Sequence, residues 1–126
     1  MRRIISAEYF AAAAVTYLLF VLFAGYDWWI LIVLFPLFDL SMIGYAANQR
    51  VGAALYNIGH SLIGPAMAIG LYITTAADWG LVIGMAWLFH IFVDRTLGYG
   101  LKHVEGFHHT HMGPIGKAKK KTKRKK

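Results

Sequence analysis

The chain has 126 residues, 58% of them hydrophobic and 15% charged, and a mean hydropathy of +0.50, too apolar for an ordinary soluble domain of this size. It contains no cysteine, which excludes disulfides, thiolate-held zinc and cysteine nucleophiles and leaves His, Asp, Glu, Asn and water as metal ligands. The formal net charge of +7 is local, because the eight basic residues between Lys117 and Lys126 exceed it; no aromatic is interleaved with them, so they suit anionic lipid headgroups and not a nucleic acid.

Four segments, at about 5–25, 28–47, 51–74 and 80–100, each reach the roughly 20 apolar residues that a helix needs to cross a bilayer. Arg2 and Arg3 precede the first, Arg50 separates the second from the third, and Lys102 with the basic tail follows the fourth. The two other connections hold Asp27 and Asp78 as their charges, with Trp28, Trp29 and Trp79 at the expected membrane boundary. The positive-inside rule then puts both termini and the middle connection in the cytoplasm. The expected fold is all-α: an integral membrane four-helix bundle, up-down-up-down, occupying residues 1–103. A cleaved signal peptide is the competing reading of the first segment, opposed by Glu8 within it and by the lack of a small-x-small site. Pro36 and Pro65 should bend the second and third helices, with neighbouring helices or waters taking up the freed carbonyls. Residues 104–116, which include HHTH at 108–111, are expected to form a cytoplasmic cap between Gly106 and Gly113, and residues 117–126 a disordered tail.

The ionisable residues inside the spans are Glu8, Asp39, His60, His90, Asp94 and Arg95, each costly in hydrocarbon unless paired or facing a wet interior. Counting from Arg50 at about 1.5 Å per residue, Asp39 lies roughly 16 Å and His60 roughly 15 Å deep. Counting back from Lys102, His90 lies roughly 18 Å and Asp94 roughly 12 Å deep. Three helices thus bring carboxylates and imidazoles to similar levels. His90 and Asp94 are four apart and Asn57 and His60 three apart, so each pair shares a helix face. Two Asp and two His offer ligands suited to Zn, Mn or Fe(II) with room for a water. Tyr45, Tyr56 and Tyr99 are expected at helix interfaces or as donors behind this group. Each residue alone has a simpler explanation as hydrogen-bonded packing or an interfacial ion pair; the convergence of all of them is harder to explain by packing.

The runs FDLSMIGY (38–45), RVGAALYNIGHSLIGP (50–65), HIFVDRTLGYGLKH (90–103) and GFHHTHMG (106–113) resemble a family of small bacterial membrane proteins classed as domain of unknown function 4260. The resemblance covers the chain from Glu8 to about Gly116 and implies a bacterial inner-membrane protein. Its pattern matches Glu8, Asp39, Asn57, His60, His90, Asp94, Arg95, Lys102, Thr110 and His111. The chain departs from it at His108 and His109, where members commonly have a lysine and an aspartate. A looser similarity, confined to His, Asp-Arg and Thr-His elements on membrane helices, is to membrane-bound metal-dependent hydrolases of the YdjM type; it is an analogy of elements and not of fold.

The leading expectation is a membrane-embedded metal-dependent hydrolase with a site facing the cytoplasm, acting on a lipid or other amphipathic substrate. Asp39, His60, His90 and Asp94 would hold a divalent metal, and Glu8 or His111 would carry protons. Arg95, Lys102 and Asn57 would bind the substrate, the two cations holding an anionic group. A haem-binding electron carrier with His60 and His90 as axial ligands to haem b is the first alternative. The other is a non-enzymatic proton path, structural subunit or small transporter, the last implying a homo-oligomer because so small a bundle has little room for a path of its own.

Overall fold

The computed structural model describes residues 1–103 and 106–115, with the backbone alone for residues 106–108. Residues 104, 105 and 116 of the expected cap, and the whole basic tail, lie outside the described residues. Four helical spans, Arg2–Phe23, Trp29–Ala46, Gln49–Thr75 and Asp78–Leu97, are long and apolar enough to cross a membrane. Phe10, Leu22, Ile32, Met67 and Ile73 are all more than 60% exposed, a surface that suits a lipid surround.

Helix α1 (Arg2–Leu18) runs on into a wider π-helical turn, Leu19–Phe23, closed by the bond from Ala24 N to Leu19 O. Gly25, at φ 76°, then reverses the chain. Helix α2 (Trp29–Phe38) contains Pro36, which has no N–H to give to the preceding turn. From Asp39 to Ala46 the span tightens into a 3-10 helix, whose larger angular step redirects the side chains beyond the proline.

Asn48 caps helix α3 (Gln49–Gly59) by accepting a 2.9 Å bond from Val51 N. The third span is broken at His60–Leu62 before helix α4 (Ile63–Thr75) begins, because Pro65 cannot donate to Ser61 O and its ring crowds that carbonyl. Two carbonyls at the break are satisfied from the fourth span: Trp87 Nε1 donates to Gly59 O, and Arg95 Nη2 donates to His60 O at 3.4 Å. A neighbouring helix therefore satisfies two of the carbonyls at the break.

Helix α5 (Asp78–Leu97) is the hub, packing on α1, α2 and α4, while α3 packs on the 3-10 stretch. Phe20, Leu31, Met85 and Ala86 form the buried apolar core. The crossing of α3 with the 3-10 stretch is tight: a Cβ on Gly59 would lie 2.8 Å from Ser41 Oγ.

After Gly98 ends α5 at φ 94°, the chain forms a small antiparallel sheet in the order β1 (Lys102–His103), β2 (Gly106–Thr110) and β3 (Gly113–Pro114). The expected cap thus has strand structure, which the sequence did not announce because it lacks alternating apolar residues. It is held at three points. Leu101 N donates to His111 Nδ1 at 2.7 Å while His111 N donates to Leu101 O at 2.9 Å. Asn57 brackets the backbone of Lys102, donating from Nδ2 to its carbonyl at 2.8 Å and accepting from its N–H at 2.6 Å. Arg2 Nη1 donates to Pro114 O at 3.2 Å, joining the start of α1 to the sheet.

A four-ligand cluster at the broken third span

The 3-10 turn that follows Pro36, the break that precedes Pro65 and the middle of α5 meet at one point. Asp39 opens the 3-10 stretch, His60 occupies the break, and His90 and Asp94 stand one helical turn apart on α5. One ligand atom from each lies within 4.8 Å of all the others. His60 Nε2 and His90 Nε2 are 3.1 Å apart. His60 Nε2 is 3.5 Å from Asp39 Oδ1 and 3.3 Å from Asp94 Oδ2. His90 Nε2 is 3.4 Å from each of the same two oxygens.

Those five separations have a geometric reading. Metal–nitrogen and metal–oxygen bonds of about 2.0–2.2 Å in a tetrahedral array put neighbouring ligand atoms roughly 3.3–3.6 Å apart. Five of the six separations in the cluster, at 3.1–3.5 Å, are at or close to those edge lengths, and the sixth, between Asp39 and Asp94, is within 4.8 Å.

The imidazoles are held from behind. His60 Nδ1 lies 3.1 Å from Tyr56 O and 3.4 Å from Ser41 Oγ. A proton on Nδ1 given to the Tyr56 carbonyl leaves the Nε2 lone pair facing the cluster, the arrangement that metal-bound histidines use. The Tyr56 ring also stacks on the His60 ring at 3.9 Å and 9°. His90 is fully buried, its ring 4.2 Å from Phe35 and 5.6 Å from Phe38, and its Nδ1 has no hydrogen-bond partner among the described residues. Packing between aromatic rings therefore sets its orientation. Burial is uneven: the Asp94 side chain is 14% exposed and that of Asp39 43%. Access to the cluster is from the Asp39 side.

The other residues expected at the site are placed differently. Arg95 is buried, but it is engaged by Tyr9 OH at 2.9 Å as well as by the His60 carbonyl, and its guanidinium lies over the Tyr9 ring. It fixes the break next to His60. Lys102 is buried, with Nζ 4.9 Å from the Tyr56 ring centre and 5.5 Å from that of Tyr99. Burial lowers its pKa to about 8, against the opposing pull of Asp94. Lys102 is thus within electrostatic reach of Asp94, and Asn57, with its amide committed to the Lys102 backbone, positions it. Glu8 is exposed, and no hydrogen bond or ion pair among the described residues joins it to the cluster. His111 uses Nδ1 to clasp Leu101. Thr110 shapes the following turn, donating to Gly113 O at 2.8 Å and accepting from Met112 N at 3.2 Å. Of the residues HHTH supplies, those two close the sheet; His109 is exposed and the His108 side chain lies outside the described residues.

Sequence reasoning passed over Ser41, Tyr9 and Trp87. Ser41, two residues beyond Asp39 on the FDLS run, was the one with a readable signal. Tyr9 and Trp87 work through partners 86 and 28 residues away, which no local pattern reveals.

No curated protein and no solved structure matches the chain. The family described as Domain of unknown function (DUF4260) matches residues 2–115, a stretch that contains all four converging side chains, and the chain belongs to that family.

Proposed function

We propose that this is a membrane-embedded, metal-dependent hydrolase whose Asp39, His60, His90 and Asp94 hold one divalent ion, Zn, Mn or Fe, and whose substrate is a lipid or another amphipathic molecule. The observation that carries this reading is the set of 3.1–3.5 Å separations between four ligand atoms drawn from three spans. Four polar side chains in an apolar bundle are costly, and a shared ion accounts for all of them together. Such an ion supplies Lewis acidity and brings the pKa of a water near neutrality. The chain's own residues do the rest: Tyr56 and Ser41 orient His60, Asp39 borders the accessible side, and Lys102 supports negative charge developing near Asp94.

The same spacing favours an ion over haem. Two axial nitrogens at about 2.0 Å on either side of an iron lie about 4 Å apart with a porphyrin between them; the imidazole tips here are 3.1 Å apart and flanked by carboxylates. A proton path or transporter would also use such a cluster, and is separated from the hydrolase by whether the metal-loaded protein hydrolyses a lipid.

Both termini and the Arg50 connection are proposed to face the cytoplasm of a bacterial inner membrane, with up-down-up-down spans. The bond from Arg2 to Pro114 supports one side for the chain's two ends, and the clustering of basic residues on that side supports the cytoplasm. The cluster then opens toward the cytoplasm.

The test is elemental analysis with an absorption spectrum on purified protein reconstituted with Zn, Mn or Fe. About one equivalent of metal per chain and no Soret band is expected, with the metal lost in His90→Ala and His60→Ala. A wild-type protein that binds none of the three metals would overturn the reading. A metal-loaded protein that hydrolyses no ester or phosphoester lipid in a substrate panel would move the site to the transport reading.

A further inference from the structure

At the end of the spans away from the Arg50 connection, the first, third and fourth spans border an open cavity of about 700 Å³, lined by Leu19, Phe23, Tyr26, Tyr72, Asp78 and Met85 among others. It is built independently of the cluster. The π-helical turn and the left-handed Gly25 carry Tyr26 back over the core, with Tyr26 N bonded to Phe20 O at 3.0 Å and the two rings 5.1 Å apart. Tyr72 reaches the first turn of α5 because Gly80 lets the helices touch: a Cβ there would lie 2.7 Å from Ala68 O and 3.5 Å from Tyr72 Cβ. Asp78 is exposed at the start of α5, makes no hydrogen bond or ion pair among the described residues and is not used as a helix cap. Burial, and then the nearby Asp78 and Tyr72, raise the Tyr26 pKa, so its phenol stays neutral.

The chemistry of these walls is specific. Aromatic faces and a carboxylate attract an organic cation, whereas the connections at this end, 24–28 and 76–77, contain no basic residue. Among the described residues, Arg2, Arg3, Arg50, Arg95 and Lys102 all lie in or next to the opposite end of the spans. A zwitterionic phospholipid would bring a phosphate with nothing to receive it, while Leu19, Phe23 and Met85 offer apolar surface continuous with the membrane.

We infer that this cavity is a binding site for a cationic amphiphile, an alkyl-substituted ammonium whose head lies between Tyr26, Tyr72 and Asp78 and whose chain follows the apolar wall. The assignment stands apart from the metal reading, since none of its residues belongs to the cluster.

The experiment titrates protein in nanodiscs, with tyrosine rings labelled for NMR, using choline and its uncharged isostere 3,3-dimethylbutanol. Choline is expected to shift the Tyr26 and Tyr72 signals saturably and the isostere to leave them in place. Equal responses to both would overturn the site, because charge recognition would be lacking. Asp78→Asn should raise the half-saturating choline concentration about fivefold or more. Tyr72→Leu should do the same, while Tyr72→Phe, which keeps the ring, should leave it within about twofold; unchanged binding in both Asp78→Asn and Tyr72→Leu refutes the assignment. Dodecyltrimethylammonium should compete with choline in wild-type protein and do so less well in Asp78→Asn. Failure of that competition would overturn the amphiphile. Competition by phosphatidylethanolamine vesicles at equal strength would transfer the site to a zwitterionic lipid. His90→Ala should retain the choline response, which separates failure of this site from failure of the metal site.

Discussion

A lysine that is both buried and close to a carboxylate has its charge set by two opposed effects, and at Lys102 burial is the larger. Its folded pKa of about 8 is below the ordinary 10.5 of an exposed lysine, so between those values the unfolded chain binds more protons than the folded one. Stability must therefore rise as the pH increases through that window, the reverse of what a lysine stabilised by an ion pair produces. The available magnitude is about 1–3 kcal/mol, at about 1.4 kcal/mol per pKa unit. Unfolding of wild-type protein in detergent should become harder between pH 8 and pH 10, and Lys102→Met should remove that slope. A flat wild-type profile would mean that Lys102 is solvated. The same residue shows where reading the sequence stopped short. Lys102 and Asn57 both looked like ligands for a substrate, but the amide of Asn57 acts as a strand partner for the Lys102 backbone. Forty-five residues separate the two, and neither composition nor spacing marks a side chain as standing in for a backbone.

At the level of single elements, the prolines were legible and their consequences were not. Pro65 announces a disturbed third helix, but not that the disturbance leaves His60 outside regular helix with its carbonyl held by Arg95. Removing the indole N–H with Trp87→Phe would leave the Gly59 carbonyl without its donor in a largely apolar interior. That should cost about 1–3 kcal/mol, while a Phe ring can keep the stacking on Phe38, now 5.5 Å between ring centres. Thermal unfolding at matched detergent concentration checks it, and an unchanged midpoint would show that water reaches the break. The connection between the third and fourth spans gives the opposite sign. Ala76 ends α4 at φ 57° and ψ 25°, a left-handed conformation that a Cβ disfavours by about 1–2 kcal/mol. Ala76→Gly should recover about 1 kcal/mol despite glycine's larger unfolded-state entropy, a gain visible in the same assay. The depth count grouped Asp39, His60 and His90 although it assumed a rise of about 1.5 Å throughout; the 3-10 stretch from Asp39 to Ala46 rises by about 2.0 Å per residue, an error of only a few ångströms over so short a segment. It could not place Glu8, since depth says nothing about which way a residue faces, and Glu8 is exposed on α1.

Across the whole molecule, the fourth span joins the others mechanically, but the ligands of the cluster come from the second, third and fourth spans and none from the first. An ion held by all four side chains would therefore tie three spans together without touching α1, whose packing in the bundle is against α5. Binding to the folded state alone stabilises by about 2.7 kcal/mol at an ion concentration 100 times its Kd. Chelation should lower the stability of the wild type by about that much and leave His90→Ala unaffected. The spatial distribution is the sharper expectation. Hydrogen exchange after chelation should accelerate in the 3-10 stretch from Asp39 to Ala46 and around the break at His60–Leu62, where the backbone is irregular and the ion would be the main cross-link. Helix α1 should keep its protection, because its contacts with α5 do not pass through the cluster. Uniform acceleration over all four spans would indicate that the chelator acts on global stability through some other site. No acceleration anywhere would leave the four ligand atoms as a hydrogen-bonded polar cluster, with the 3.1 Å gap between His60 and His90 occupied by a shared proton.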